Sequence, residues 1–157
     1  MFGIYKGFSK ILVAVDGSEP PMDAADCAIC IAKNYDAKII AINVLSAYNE
    51  TDYYSEGIGK EYALTNDSIK SYKQKAQGWL DKVKYKANQQ GTITNFDSCL
   101  IINPKPVLAI IVEYAEKEMI DLIVVGTRGM SIFRKLLLGS VASKVLTYAN
   151  CNVMVVN

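Results

Sequence analysis

Residues 126–140, GTRGMSIFRKLLLGS, set Gly126, Gly129, Gly139 and Ser140 in the pattern Gly-x2-Gly-x9-Gly-Ser. Gly126 and Gly129 can adopt positive φ and let an anion approach their backbone N–H groups with no Cβ in the way. Gly139 stands where a helix begins. The first N–H groups of that helix, on Ser140, Val141 and Ala142, together with the positive end of its dipole form a phosphate seat. Arg128, Arg134 and Lys135 can offset the charge of two or three phosphates, so the chemistry indicated is binding of a nucleoside triphosphate. A plainer use of the same residues stays open: Gly126 and Gly129 turn the chain, Gly139 begins a helix and Ser140 caps it.

A second group of candidates lies at the end of KILVAVDGSE. Asp16 can accept a hydrogen bond from a ribose hydroxyl or hold Mg²⁺ against phosphates, and it can equally form an Asx-type turn and helix cap. Val44, at the end of IIAINVL, can offer backbone N–H and C=O to an adenine edge or simply join the core. Tyr48, Tyr53 and Tyr54 fall in a stretch rich in Tyr, Ser, Gly and acids, which reads as a mobile surface loop.

Composition excludes several function classes. The chain has 157 residues, 51% of them apolar, and reads as one domain over 1–157. Lys and Arg total 17 against 16 acids, which gives no general attraction to nucleic acid or to an anionic membrane. Apolar runs such as VLAIIV at 107–112 fall far short of the roughly 20 residues that span a bilayer, so no membrane partner is expected. The start MFGIYKGFSK does not read as a secretion signal, and the expected location is the cytoplasm. There is no histidine, which removes most catalytic dyads and the commonest zinc ligand. Cys27 and Cys30 make a C-x-x-C pair in the middle of a helical pattern, not at a helix N-terminus where thiols are activated; burial as small apolar residues is the expected role of the cysteines.

These candidates need a frame. ILVAV at 11–15 reads as a strand running through Asp-Gly-Ser into a helix, with Pro20 and Pro21 near its start and Met22, Ala25, Ile29 and Ala32 on one face. AKIIAINVL at 37–45 is a second strand, apolar on both faces. From about Leu64 to Asn88, the spacing of Ile69, Tyr72, Ala76, Trp79, Leu80 and Val83 indicates a long amphipathic helix. A weakly alternating strand over 92–102 follows, then a helix entered at Pro106 and a strand DLIVVG. A short helix places Val141, Val145 and Leu146 on one face, and VMVV closes the chain. Strands alternating with helices imply an α/β fold with a parallel sheet covered on both faces.

Taken together, ILVAVDGSE, IIAINVL, DLIVVGTRGMSIFRKLLLGSVASKVL and CNVMVV resemble the universal stress protein family over nearly the whole chain. The full Gly-x2-Gly-x9-Gly-Ser pattern resembles that of its ATP-binding branch. The resemblance implies a Rossmann-like open five-stranded sheet of order 3-2-1-4-5. It implies that Val15 and Asp16 approach adenine and ribose, that Val44 presents backbone groups to adenine, and that Gly126 lies by the ribose. Arg128 and Gly129 would face phosphates. Gly139, Ser140 and Val141 would hold the phosphate tail of ATP (or ADP or AMP), with Mg²⁺ or Mn²⁺ alongside. Asn152 departs from the family's usual Pro before the last strand, which affects only the local turn. The family commonly forms a homodimer through the last strand. Residues 153–156 offer an independent reason: the strand carries no charge and no proline and needs a cover if it is an edge.

The leading functional expectation is a nucleotide-dependent regulatory module in the stress response, read by an unknown protein partner. The alternatives are a slow metal-dependent ATPase or phosphotransferase and a nucleotide-free scaffold. Against turnover stand the lack of a general base near the phosphates and of a Walker lysine motif. A phosphoacceptor receiver lacks the second acid beside Asp16.

Overall fold

A computed structural model describes residues 7–17, 21–46, 66–91, 95–127 and 139–157. Among the described residues five strands alternate with four helices: β1 (Lys10–Ala14), α1 (Pro21–Tyr35), β2 (Lys38–Ser46), α2 (Asn66–Gln89), β3 (Phe96–Asn103), α3 (Val107–Lys117), β4 (Leu122–Gly126), α4 (Ser140–Tyr148) and β5 (Asn152–Val156). The strands form one sheet of order β3-β2-β1-β4-β5, and the pairs β1–β2, β1–β4, β2–β3 and β4–β5 are all parallel. This is the Rossmann-like order that the resemblance implies.

The period-2 alternation of the strands divides the core into two layers. Ile11, Val13, Ile39, Ala41, Leu122 and Val124 pack with α1 and α2 on one face. Leu12, Ile40, Ile42, Ile123 and Val125 pack with α3 and α4 on the other. Both faces are covered, which is why β1, β2 and β4 read as continuous apolar runs. β3 and β5 are the edges, and their burial is correspondingly partial.

Each helix shows its stripe. On α1 the expected Ala25, Ile29 and Ala32 are buried along with Ala24 and Ala28, and Met22 packs partly against them. On α2 the buried residues are Ala76, Leu80, Val83 and Ala87. On α4 the expectation needs correction: Val145 and Ala142 are buried, but Val141 and Leu146 are 37% and 46% exposed. At 100° per residue the buried stripe centres between Val145 and the pair Ala142 and Ala149, leaving 141 and 146 on its two flanks. The cysteines also depart from the expected burial, since Cys30 is exposed and Cys27, Cys99 and Cys151 are half-buried, all four as free thiols. Cys30 lies on the opposite side of α1 from the alanine-rich stripe.

The third strand is described from Phe96, and its expected first residues, 92–94, lie outside the described residues, as does the tyrosine-rich stretch with Tyr48, Tyr53 and Tyr54. Among the described residues no helix is long and apolar enough to cross a membrane.

Candidate functional site

β1, β2 and β3 succeed one another toward one edge of the sheet, whereas β4 and β5 run toward the other. The connections therefore reverse between β1 and β4, and their carboxyl ends open the crevice in which ligands of open parallel sheets sit. The register pairs Val13 with Val124, so Val15 is level with Gly126, two residues further on. Asp16 and Gly17 follow at the rim. On the other side, β2 outruns β1: pairing ends at Ala14 with Ile42, and β2 continues to Ser46.

Val44 lies in this projecting part. Ile42 turns its carbonyl toward β1, where it accepts the N–H of Val15 at 2.9 Å. Backbone polar groups alternate sides along a strand, so the N–H and C=O of Val44 face the same way, past the end of β1. Its side chain packs partly into the layer beneath α3 and α4.

Val15 is committed inward on all counts. Its side chain is buried, its N–H bonds Ile42, and its carbonyl accepts the side-chain amide of Asn43 at 2.6 Å. Its backbone groups are thus engaged within the sheet.

The second wall is the start of α4. Gly139 N–H donates to the carbonyl of Thr127 at 2.8 Å, and Thr127 N–H donates to Val156 at 2.8 Å. These bonds hold Gly139 against Thr127 and seat the helix start on the end of β4. The first intrahelical bond runs from Ser143 N–H to the Gly139 carbonyl at 2.9 Å. The N–H groups of Ser140, Val141 and Ala142 precede it and have no intrahelical acceptor. Two expectations change here. The Gly139 amide serves the chain rather than an anion, and Gly139 itself has φ −63 and ψ 156, open to any residue. Gly126 is extended backbone at the end of β4, paired with Val156, and is not at positive φ. The positive φ at the strand ends belongs to Gly17, at 79°.

Gly17 has a steric reason as well. A Cβ there would collide with the Trp79 ring. Trp79 meets Tyr72 edge to face, with ring centroids 5.9 Å apart, and the Tyr72 hydroxyl donates to Asn43 Oδ1 at 2.9 Å. Asn43, only 1% exposed, thus satisfies both ends of its amide and links α2 to the turn after β1. Burial, and after it the charge of Asp16, pushes the Tyr72 phenol up from its ordinary value. No local pattern in the sequence points to these supports; the one visible signal is a lone Asn in the apolar run IIAINVL.

The structure therefore brings Val15, Asp16, Val44, Gly126, Gly139, Ser140 and Val141 to one end of the sheet. Arg128 and Gly129, with Arg134 and Lys135, lie outside the described residues. A groove of about 790 Å³ between α1 and α2, lined by Met22, Asp23, Gly78, Asp81, Tyr85 and Lys86 among others, includes no residue of the strand-end loops. No group of three or more Cys, Asp or Glu side chains placed to hold a metal occurs among the described residues.

Fold and crevice define the class: an open, parallel α/β protein with a helix N-terminus beside its topological switch point. The universal stress protein family model matches residues 7–157, and the chain belongs to that family. It is 37% identical over 149 residues to a universal stress protein of Methanocaldococcus jannaschii, covering 95% of this chain and 82% of the relative. Universal stress protein YxiE of Bacillus subtilis is 31% identical over 150 residues, covering 95% and 99%. Among solved structures, universal stress protein UspA from Lactobacillus plantarum superposes with a TM-score of 0.76 at 24% identity, covering 96% of this chain and 99% of its own. A universal stress protein from Archaeoglobus fulgidus in complex with dAMP superposes at 0.68 and 20% identity, covering 96% and 98%; one from Arabidopsis thaliana with AMP bound superposes at 0.63 and 18%, covering 94% and 90%.

Proposed function

We propose that the chain binds an adenine nucleotide, ATP in the first place, at the carboxyl ends of β1, β2 and β4, and acts as a nucleotide-dependent regulatory module. The observation that carries this reading is the pair of walls at the switch point. One side offers the outward-facing backbone of Val44 and the carboxylate of Asp16; the other offers the leading amides of α4 on Ser140, Val141 and Ala142. That the structural neighbours include proteins solved with dAMP, AMP and cAMP supports an adenine nucleotide as the ligand class.

Each residue then has a physical task. Val44 hydrogen-bonds the adenine edge through its main chain, Val15 forms the apolar floor, and Asp16 accepts from the ribose. The amides at the start of α4 solvate phosphate oxygens. Arg128 and Gly129 are assigned to the phosphates on their spacing in the sequence. The donor set fits Mg²⁺ or Mn²⁺ only as a passenger of the phosphates: Asp16 is the one assigned carboxylate, and a hard cation would take its remaining ligands from phosphate and water. When bound, the ion supplies charge neutralisation.

A homodimer through residues 153–156 of β5 belongs to the same reading. β5 is a sheet edge of the apolar sequence VMVV, and a second copy pairing across a two-fold axis would satisfy its outward backbone groups.

The experiment is mass spectrometry of small molecules released on denaturing the purified protein, followed by calorimetric titration of the stripped protein with Mg-ATP, ADP and AMP. One adenine nucleotide per chain is expected, with Asp16→Asn weakening it. A stripped protein that takes up none of the three would leave only the scaffold reading.

A further inference from the structure

We propose that Tyr72, Asn43 and Trp79 are positioning residues for the ribose: through them α2 grips the turn on both sides of Asp16 and sets how well its carboxylate meets the sugar hydroxyls. The inference rests on the adenine-nucleotide reading above and adds α2 to the elements that build the site.

The need for such a grip follows from where Asp16 stands. β1 ends at Ala14, so its ladder stops short of Asp16. The bond from Val15 N–H to the Ile42 carbonyl, at 2.9 Å, lies one residue before it. A carboxylate beyond a strand end is only as well placed as the turn that carries it.

Two contacts from the α2 side fix that turn. Before Asp16, the Val15 carbonyl accepts the Asn43 amide at 2.6 Å, and the Tyr72 hydroxyl holds that amide by donating to its Oδ1 at 2.9 Å. Asn43 is 1% exposed, so water does not compete for either bond. The Val15 carbonyl and the Asp16 N–H belong to one rigid peptide plane, and holding the first orients the second. After Asp16, the Trp79 ring occupies the place of a Gly17 Cβ, against a glycine at φ 79.

Tyr72 and Trp79 stand two turns apart on one stripe of α2 and meet edge to face at 5.9 Å. One helix face thus restrains the residues on either side of Asp16 and leaves that residue's own dihedrals between two fixed points. Burial raises the Tyr72 phenol, the Asn43 bond lowers it, and the charge of Asp16 raises it further, which places the carboxylate within electrostatic reach of the same helix face.

The test is a thermodynamic cycle between Tyr72→Phe and the ribose hydroxyls, run by calorimetry on the full chain with Mg²⁺ and either ATP or 2′,3′-dideoxy-ATP. The phenyl ring keeps the contact with Trp79, and only the hydroxyl is lost. Weaker folding lowers apparent affinity for both ligands by the same factor, so a merely structural role leaves their ratio unchanged. Wild type should prefer ATP by about 10-fold, the worth of a hydrogen bond to a carboxylate, and Tyr72→Phe should reduce that preference to about 2-fold. A second readout needs no variant. By reciprocity, a ribose that engages Asp16 shifts Gly17 beneath the only tryptophan, so ATP should change Trp79 emission and the dideoxy analogue should not.

An unchanged ligand ratio in Tyr72→Phe, or the same emission with both ligands, would leave Tyr72 and Trp79 as supports of the fold alone and overturn the inference. A wild type that binds ATP and the analogue equally would separate Asp16 from the ribose and overturn it too, with nucleotide binding intact. A wild type that binds neither would end the nucleotide reading and this inference with it.

Discussion

The phenol of Tyr72 on α2 and the amide of Asn43 on β2 are joined by a 2.9 Å hydrogen bond, and the other end of that amide holds the Val15 carbonyl at 2.6 Å. A helix on the flank of the sheet is thereby tied to the strand end that carries Asp16. Buried amides with both ends satisfied rigidify their surroundings, and removing one partner leaves a desolvated polar atom behind.

Tyr72→Phe should therefore cost about 1–3 kcal/mol, the penalty of an unpaired buried acceptor at Asn43 Oδ1. Urea unfolding followed by circular dichroism measures it. A cost near zero would show that water or another group takes the place of the phenol.

Gly17→Ala should destabilise by about 1–3 kcal/mol, because it forces a Cβ into a residue at φ 79 and against the Trp79 ring. Trp79 is the only tryptophan, so its emission reports the site directly. A shifted emission maximum together with a lower unfolding midpoint is the expected pair of changes.

Alkaline pH should separate wild type from Tyr72→Phe. Burial first, and then Asp16, raises the phenol above its ordinary 10.0, so the folded protein holds the proton more tightly than the unfolded chain. That contribution is complete below pH 10.0 and is lost as pH rises through the folded value. The variant should decline less steeply above pH 10.0 in pH-dependent urea denaturation. The half-buried thiols of Cys27, Cys99 and Cys151, raised from 9.0, add an earlier decline that both proteins share.

Val155→Pro should give a folded monomer. The Val156 carbonyl faces β4, where it accepts Thr127 N–H, so alternation turns the Val155 N–H to the open edge. Proline there removes an outward donor without touching the ladder to β4. Analytical ultracentrifugation at micromolar concentration should show dimer for the wild type and monomer for the variant. Two species of equal mass would rule out β5 pairing as the cause of association.

The site was partly legible in the chain. Ser140 and Val141 could be placed at a helix start because Gly-Ser precedes a helical period, and Asp16 because it follows five apolar residues. Gly126 ends β4 as the run DLIVVG indicates, but whether it is extended or turned is not legible there, since a strand-end glycine and a turn glycine look alike until the neighbouring strand is known. A nine-residue helix fits several apolar stripes nearly equally, so the period of α4 alone does not tell that Val141 and Leu146 lie on its flanks. Asn43 carried its signal openly, as a polar residue in an apolar run, but its partner lies 29 positions away and no local pattern points there.

The sequence by itself determined the alternation of strands and helices, the two-sided burial of the central strands and the glycine-marked start of the last helix, because each depends on period and local backbone preference. Only the tertiary structure decided the strand order, the meeting of Val15 with Gly126, the inward use of the Gly139 amide and the contact between Cys27 and Met154. Those depend on long-range packing, in which the sheet register places residues more than a hundred positions apart side by side.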